Sequence, residues 1–247
     1  MPEDIKKVIL VTSLYTVSRE SYLKISEEGS PALDPFLRKG SWSRLAIPQV
    51  KPEVAIATLL TGSSPQTHRV EQPKGKCHAE YFWEAAQRSS KKTVNFGVEV
   101  DRTPMEGSLS ADPAAVASFL HTSPTWDICL YHDAFGLSEP SALAEIFSAA
   151  DEETLLSLIL LPSSGEEGFF GLASPGVKKG FRITRVVRLL EVIPTICYLG
   201  EISVPAGCEG GILYQALEDP DMKVKELRAC RRNYERLRRS TGPSAMC

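Results

Sequence analysis

The chain has no CxxC pair: its six cysteines, Cys77, Cys129, Cys197, Cys208, Cys230 and Cys247, stand singly along 247 residues. That spacing argues against a structural zinc knuckle. A chain long enough to bury a sizeable core does not need a disulfide framework, so reduced thiols are expected. Long apolar runs are also missing. "VILV" and "LLSLILL" fall far short of the roughly 20 residues that a membrane-spanning helix needs. The start, "MPEDIKKVILVTSLYTV", puts acidic residues ahead of a brief apolar stretch, which reads as a first strand and not as a secretion signal. A cytoplasmic protein is expected. Strong charge of one sign is absent too: 28 Lys and Arg face 31 Asp and Glu, a net charge of −3. This predicts neither a nucleic-acid coat nor a membrane-surface protein. No internal repeat or low-complexity block stands out.

What is present is a layered pattern. Short apolar runs bounded by polar or turn residues predict strands at 7–13 ("KVILVTS"), 93–100 ("TVNFGVEV"), 126–133 ("WDICLYHD"), 155–163 ("LLSLILLPS") and 181–187 ("FRITRVV"). Helical patterns lie between them at 53–60, 79–89, 113–121 and 141–151. Asp112 and Pro113 supply an N-cap and a first-turn proline for the third. Strand alternating with helix predicts an α/β three-layer sandwich with a mostly parallel central sheet. Binding residues in such sheets gather at the carboxyl ends of strands, which places Ser13, Asp133, Ser163 and Ser164 near one edge. "GSSPQTHRVEQPKGK" (62–76) and "GLASPGVKKG" (171–180) read as loops. One α/β domain is expected over 1–220, followed by a basic helix and tail over 221–247.

Four blocks then occur in an order that resembles the alkaline phosphatase superfamily of phosphodiesterases, nucleotide pyrophosphatases, sulfatases and phosphoglycerate mutases. "VILVTSL" is similar to its first strand, which usually ends on a metal-binding Asp. "ATLLTGSSPQTHRV" is similar to the helix after the nucleophile. "LILLPSSGEEG" is similar to the strand ending in Ser-Asp-His-Gly. "SPGVKKGFRITRVVRLLEVIPTICYLGEISVPAGCEGGIL" resembles the closing segment, with its Gly-Pro turn, Pro-Thr helix and Gly turn.

The resemblance implies two divalent metals that activate a Thr, Ser or modified Cys. The residues depart from that pattern at most of the chemical positions. The first-strand Asp falls at Ser13 or Leu14. Counted back from Thr61-Gly62, the nucleophile falls at Pro52, or at Lys51 or Glu53 one residue either way. In "DAFGL" Asp133 is kept but the His position is Leu137, and the Asp-His pair becomes Ser163-Ser164. "EEGFFGLAS" is too short to carry the last His. One carboxylate cannot hold two divalent ions, so no metal and no cofactor are expected.

The remaining candidates are a non-metal set. Glu53, His132 and Asp133 could act as acid or base, and Lys51, Arg69, Ser163 and Ser164 could bind a small anionic ligand. Each also has a structural reading: Glu53 suits a helix N-terminus, and "SSGEEG" suits a hydrophilic turn. His68 reads as a packing residue. Cys77 in "KGKCH" would have a lowered pKa beside its lysines if exposed. The basic C-terminal helix reads as solvated first and as a docking element second. Two functions follow. In the first, the chain is a metal-free, degenerate relative acting as an accessory subunit with a protein partner, most naturally a related chain. In the second, it is a metal-independent enzyme that transfers or eliminates a phosphate, sulfate or carboxylate-bearing group. Neither nucleic acid nor a membrane is an expected partner.

Overall fold

The strand β1 (Lys7–Val17) lies at the heart of the sheet. It pairs in parallel with β5 (Ile128–His132) on one side and β6 (Thr154–Pro162) on the other. Strands covered on both faces must be apolar almost throughout, which is why "KVILV", "ICLY" and "LLSLILL" are near-continuous apolar runs. The computed structural model describes residues 5–17, 33–46, 48–102, 106–109, 112–123, 125–132, 140–163, 167–221, 228 and 231–232.

Five further strands complete an eight-stranded sheet among these residues: β2 (Ser41–Ala46), β3 (Thr93–Phe96), β4 (Glu106–Leu109), β7 (Glu167–Ala173) and β8 (Phe181–Arg182). The order is β4-β3-β5-β1-β6-β7-β2-β8. Only β7 runs against the others. The helices are α1 (Asp34–Leu37), α2 (Pro52–Thr61), α3 (Pro65–His68), α4 (Phe82–Arg88), α5 (Pro113–Thr122), α6 (Pro140–Ser148) and α7 (Val192–Leu199). Alternate residues of β1 and β5 feed two cores. Val8, Leu10, Ile128 and Leu130 pack beneath α2, α4 and α7, and Ile9, Val11, Cys129 and Tyr131 pack against α1, α5 and α6. The three-layer α/β sandwich is as the pattern predicts.

Several boundaries differ from the expectation. The second predicted strand ends at Phe96, because Gly97 turns the chain at φ 80°. Of the run 181–187 only Phe181–Arg182 is strand, and Val187 adds a single bridge to Leu45. The predicted loop 62–76 contains α3, and the predicted loop 171–180 begins inside β7, which runs to Ala173. The Asp112 carboxylate does cap α5, accepting from the Ala115 N–H at 3.1 Å. Of the proposed C-terminal helix, only Arg228, Arg231 and Arg232 are described, as helical and exposed.

The closing segment is locked onto the Thr61-Gly62 turn. The Gly62 carbonyl accepts from the Glu209 and Gly210 N–H groups at 2.9 and 3.1 Å. Gly62 sits at φ 64°, and a Cβ there would stand 2.6 Å from Cys208 Sγ. A Cβ on Gly210 would stand 1.7 Å from the Leu190 carbonyl oxygen. Beside this contact the buried Glu191 carboxylate takes a two-point hydrogen bond from Arg185 at 2.8 and 2.9 Å and one from the Arg188 N–H at 2.9 Å. Burial alone would raise the Glu191 pKa, but these donors and the guanidinium charges outweigh it and hold the carboxyl below its usual range.

Candidate functional site

The carboxyl ends of β1, β5 and β6 form one edge, where Thr12 pairs with His132 and with Ile159, and Ser13 pairs with Leu160. β1 is irregular between Leu14 and Val17, and Tyr15 there adopts φ 63°. A left-handed backbone is costly for a bulky residue. Here it brings the Tyr15 hydroxyl to the Pro48 carbonyl at 2.6 Å, tying the segment before α2 to the strand edge. That segment leads into Lys51, the N-cap, and Pro52, the first residue of α2. Proline is well suited to this place, since its missing N–H would be unpaired anyway.

Four of the seven residues singled out from the sequence are placed around α2 and α3 or inside the sheet edge. Lys51 is exposed and donates from Nζ to the Glu71 carbonyl oxygen at 3.3 Å. Arg69 is exposed, at φ 59°, as the C-cap of α3. Both line a shallow groove of about 650 Å³. Val50, Lys51 and Val54 form its α2 side, Pro65, Gln66 and Arg69 its α3 side, and Val70 and Glu71 its end. Glu53 is half-buried in the first turn of α2 and does not line this groove.

His132 is buried. Its Nδ1 lies 2.9 Å from the Thr12 hydroxyl oxygen, which is also 3.3 Å from the Tyr131 carbonyl. Burial pushes the imidazole pKa down to about 4, so at neutral pH the ring is an uncharged hydrogen-bonding partner of β1. Ser163 is exposed directly after β6. Asp133 and Ser164 lie outside the described residues. The structure therefore brings Lys51 and Arg69 together in one groove and leaves Glu53 and His132 apart from it.

His68 is a packing residue, as its sequence position suggests. The Val70 N–H donates to Nδ1 at 3.1 Å, so Nε2 carries the proton and donates to Thr58 Oγ1 at 3.0 Å. Burial lowers its pKa, opposed by the Glu209 charge. The Cys77 thiol is not activated: it is buried, and burial pushes its pKa up despite the neighbouring lysines in sequence. Gln66 and Glu71 of the groove were not signalled by the sequence, because no pattern marks a surface groove between two helices.

The sequence resemblance implies a two-metal centre, which the donor set can test. Among the described residues no three His, Cys, Asp or Glu side chains gather where they could hold a metal ion. At the strand edge β1 presents the hydroxyls of Thr12 and Ser13, and the nearby imidazole of His132 is committed to Thr12. The described residues do not fit a dinuclear centre.

Sheet order, layers and the Thr61-Gly62 contact together give the chain the alkaline phosphatase-type fold. Solved structures agree. A 2-O GAG sulfatase superposes with a TM-score of 0.67 at 12% identity, covering 87% of this chain and 74% of that one. Human ectonucleotide pyrophosphatase/phosphodiesterase 5 gives 0.60 at 11%, covering 86% and 100%. The phosphonate monoester hydrolase of Agrobacterium radiobacter gives 0.59 at 14%, covering 88% and 77%. No protein-family model and no curated protein matches the sequence.

Proposed function

We propose that this chain is a metal-free protein of the alkaline phosphatase fold, without ester-hydrolase chemistry, that acts as an accessory subunit bound to a protein partner of related fold. The observation that carries this reading is Pro52. The position that the resemblance assigns to the nucleophile, with Lys51 and Glu53 to either side, is a proline with no nucleophilic atom, set as the first residue of α2, and none of the three is a Ser, Thr or Cys. The framework around it is retained, from the Thr61-Gly62 turn to Gly210. A hydrolase that had only changed substrate would keep its metal ligands, whereas a binding subunit needs only to fold and dock.

The alternative, metal-independent catalysis in the former cleft, requires acid and base side chains to converge within about 3 Å of a common point. His132 is buried against Thr12, and Glu53 does not share the groove of Lys51 and Arg69. These placements favour binding over catalysis. The test is calorimetric titration of the purified chain with zinc and manganese, with turnover of p-nitrophenyl phosphate and sulfate measured alongside. No stoichiometric uptake and no turnover, with a related chain recovered in stable complex, are expected. Uptake of two ions with turnover would overturn the reading.

A further inference from the structure

The groove between α2 and α3 has a definite chemistry. Its aliphatic lining comes from Val50, Val54 and Val70, and its charged lining is two cations, Lys51 and Arg69, against one carboxylate, Glu71. Lys51 is held in place by one bond to the Glu71 carbonyl, which leaves two of its three N–H donors for a ligand. No side-chain hydrogen bond or ion pair ties down the Arg69 guanidinium among the described residues, while its backbone is kept in the left-handed region that favours glycine. A site lined by two cations and three valines complements a segment with carboxylates and branched aliphatic side chains. The groove is open and not an enclosed cavity, which suits a surface-bound chain better than a small molecule that must be enveloped.

We propose that this groove is the docking site for an acidic, aliphatic peptide segment of the partner protein. Its Asp or Glu side chains pair with Lys51 and Arg69, and an intervening Val, Leu or Ile packs on Val50, Val54 and Val70. Arg69 sets the specificity, because a planar guanidinium takes a carboxylate by two parallel bonds. The inference rests on the subunit reading and gives it a location.

The test uses the full chain and a library of pentapeptides alternating Glu or Asp with Val, Leu or Ile, beside a matched library with Gln and Asn. Affinity selection followed by fluorescence anisotropy should favour the acidic library at least tenfold, and 0.5 M salt should weaken the binding. Lys51→Glu with Arg69→Glu should abolish the preference without changing the circular dichroism. Arg69→Gly should weaken binding at least tenfold while raising the melting temperature, an outcome that unfolding could not produce. Equal binding of the two libraries, or an unchanged preference in the double variant, overturns the proposal. So does full competition by inorganic phosphate or glutarate at the peptide's own concentration, which would mark a simple anion site. The metal and ester titrations on the same preparation judge the subunit reading separately. A chain without metal uptake that forms its complex equally well as the double variant would lose only the groove.

Discussion

Arg69 and His132 make opposite demands on stability. A non-glycine residue in the left-handed region costs about 1–2 kcal/mol, part of which glycine returns through the entropy of the unfolded chain. Arg69→Gly should therefore stabilise the fold by about 1 kcal/mol, seen as a rise of roughly 2–4 °C in Tm for a domain of this size. A fall in Tm would mean that the guanidinium stabilises the fold. His132 is buried neutral, its folded pKa of about 4 lying below the ordinary 6.5. The folded state then binds fewer protons than the unfolded one, so stability is full above about pH 6.5 and declines as the pH falls toward 4. The loss across that window is about 3 kcal/mol. The lowered pKa of His68 acts in the same direction. Urea unfolding at intervals from pH 7.5 to 4 should show this slope, and His132→Asn should flatten it. An equally steep slope in the variant would place the acid sensitivity elsewhere.

At the scale of elements, the contact between the Thr61-Gly62 turn and the closing segment joins residues far apart in sequence. Gly210→Ala would push a methyl carbon into the Leu190 carbonyl, and backbone on both sides would have to move. A loss of more than about 3 kcal/mol is expected. Gly211→Ala meets nothing within 4 Å and should stay within about 0.5 kcal/mol of the parent, so denaturant melts of the pair separate this contact from a general intolerance of side chains.

The same elements show why some of the fold could be read in advance. β1, β5 and β6 are buried on both faces and spell this out as near-continuous apolar runs. β2 hides its pattern, because Ser41 and Ser43 point inward and spend their hydroxyls on the carbonyls of Lys178 and Arg185 at 3.0 and 2.6 Å. β7 carries Gly168 and Gly171 where a side chain would strike the Leu160 carbonyl and the Phe36 ring, so its sequence has the composition of a turn. Of the candidate residues, Lys51 and Arg69 line one groove, as their flanking positions around α2 and α3 allow. The commitment of His132 to Thr12 was not legible, since it depends on the register between two strands that the sequence does not state.

For the whole molecule, the proposed metal-free state predicts that no stability comes from a bound ion. Dialysis against a chelator should leave the melting temperature unchanged, whereas a resident ion present at 100 times its Kd would contribute about 2.7 kcal/mol. A drop of several degrees on chelation would show that a metal is bound and would remove the metal-free reading at once.

β1 has a second consequence, for how the protein is made. Val8 finds its partners at Ile128 and Leu155, so the strand at the centre of the sheet is translated ahead of both its neighbours and satisfied late. At about 5–20 residues per second, roughly 6 to 24 seconds pass before even the nearer partner has been synthesised. Through that interval "VILV" has neither of its sheet neighbours, and the centre of the sheet is closed only when the second half of the chain arrives.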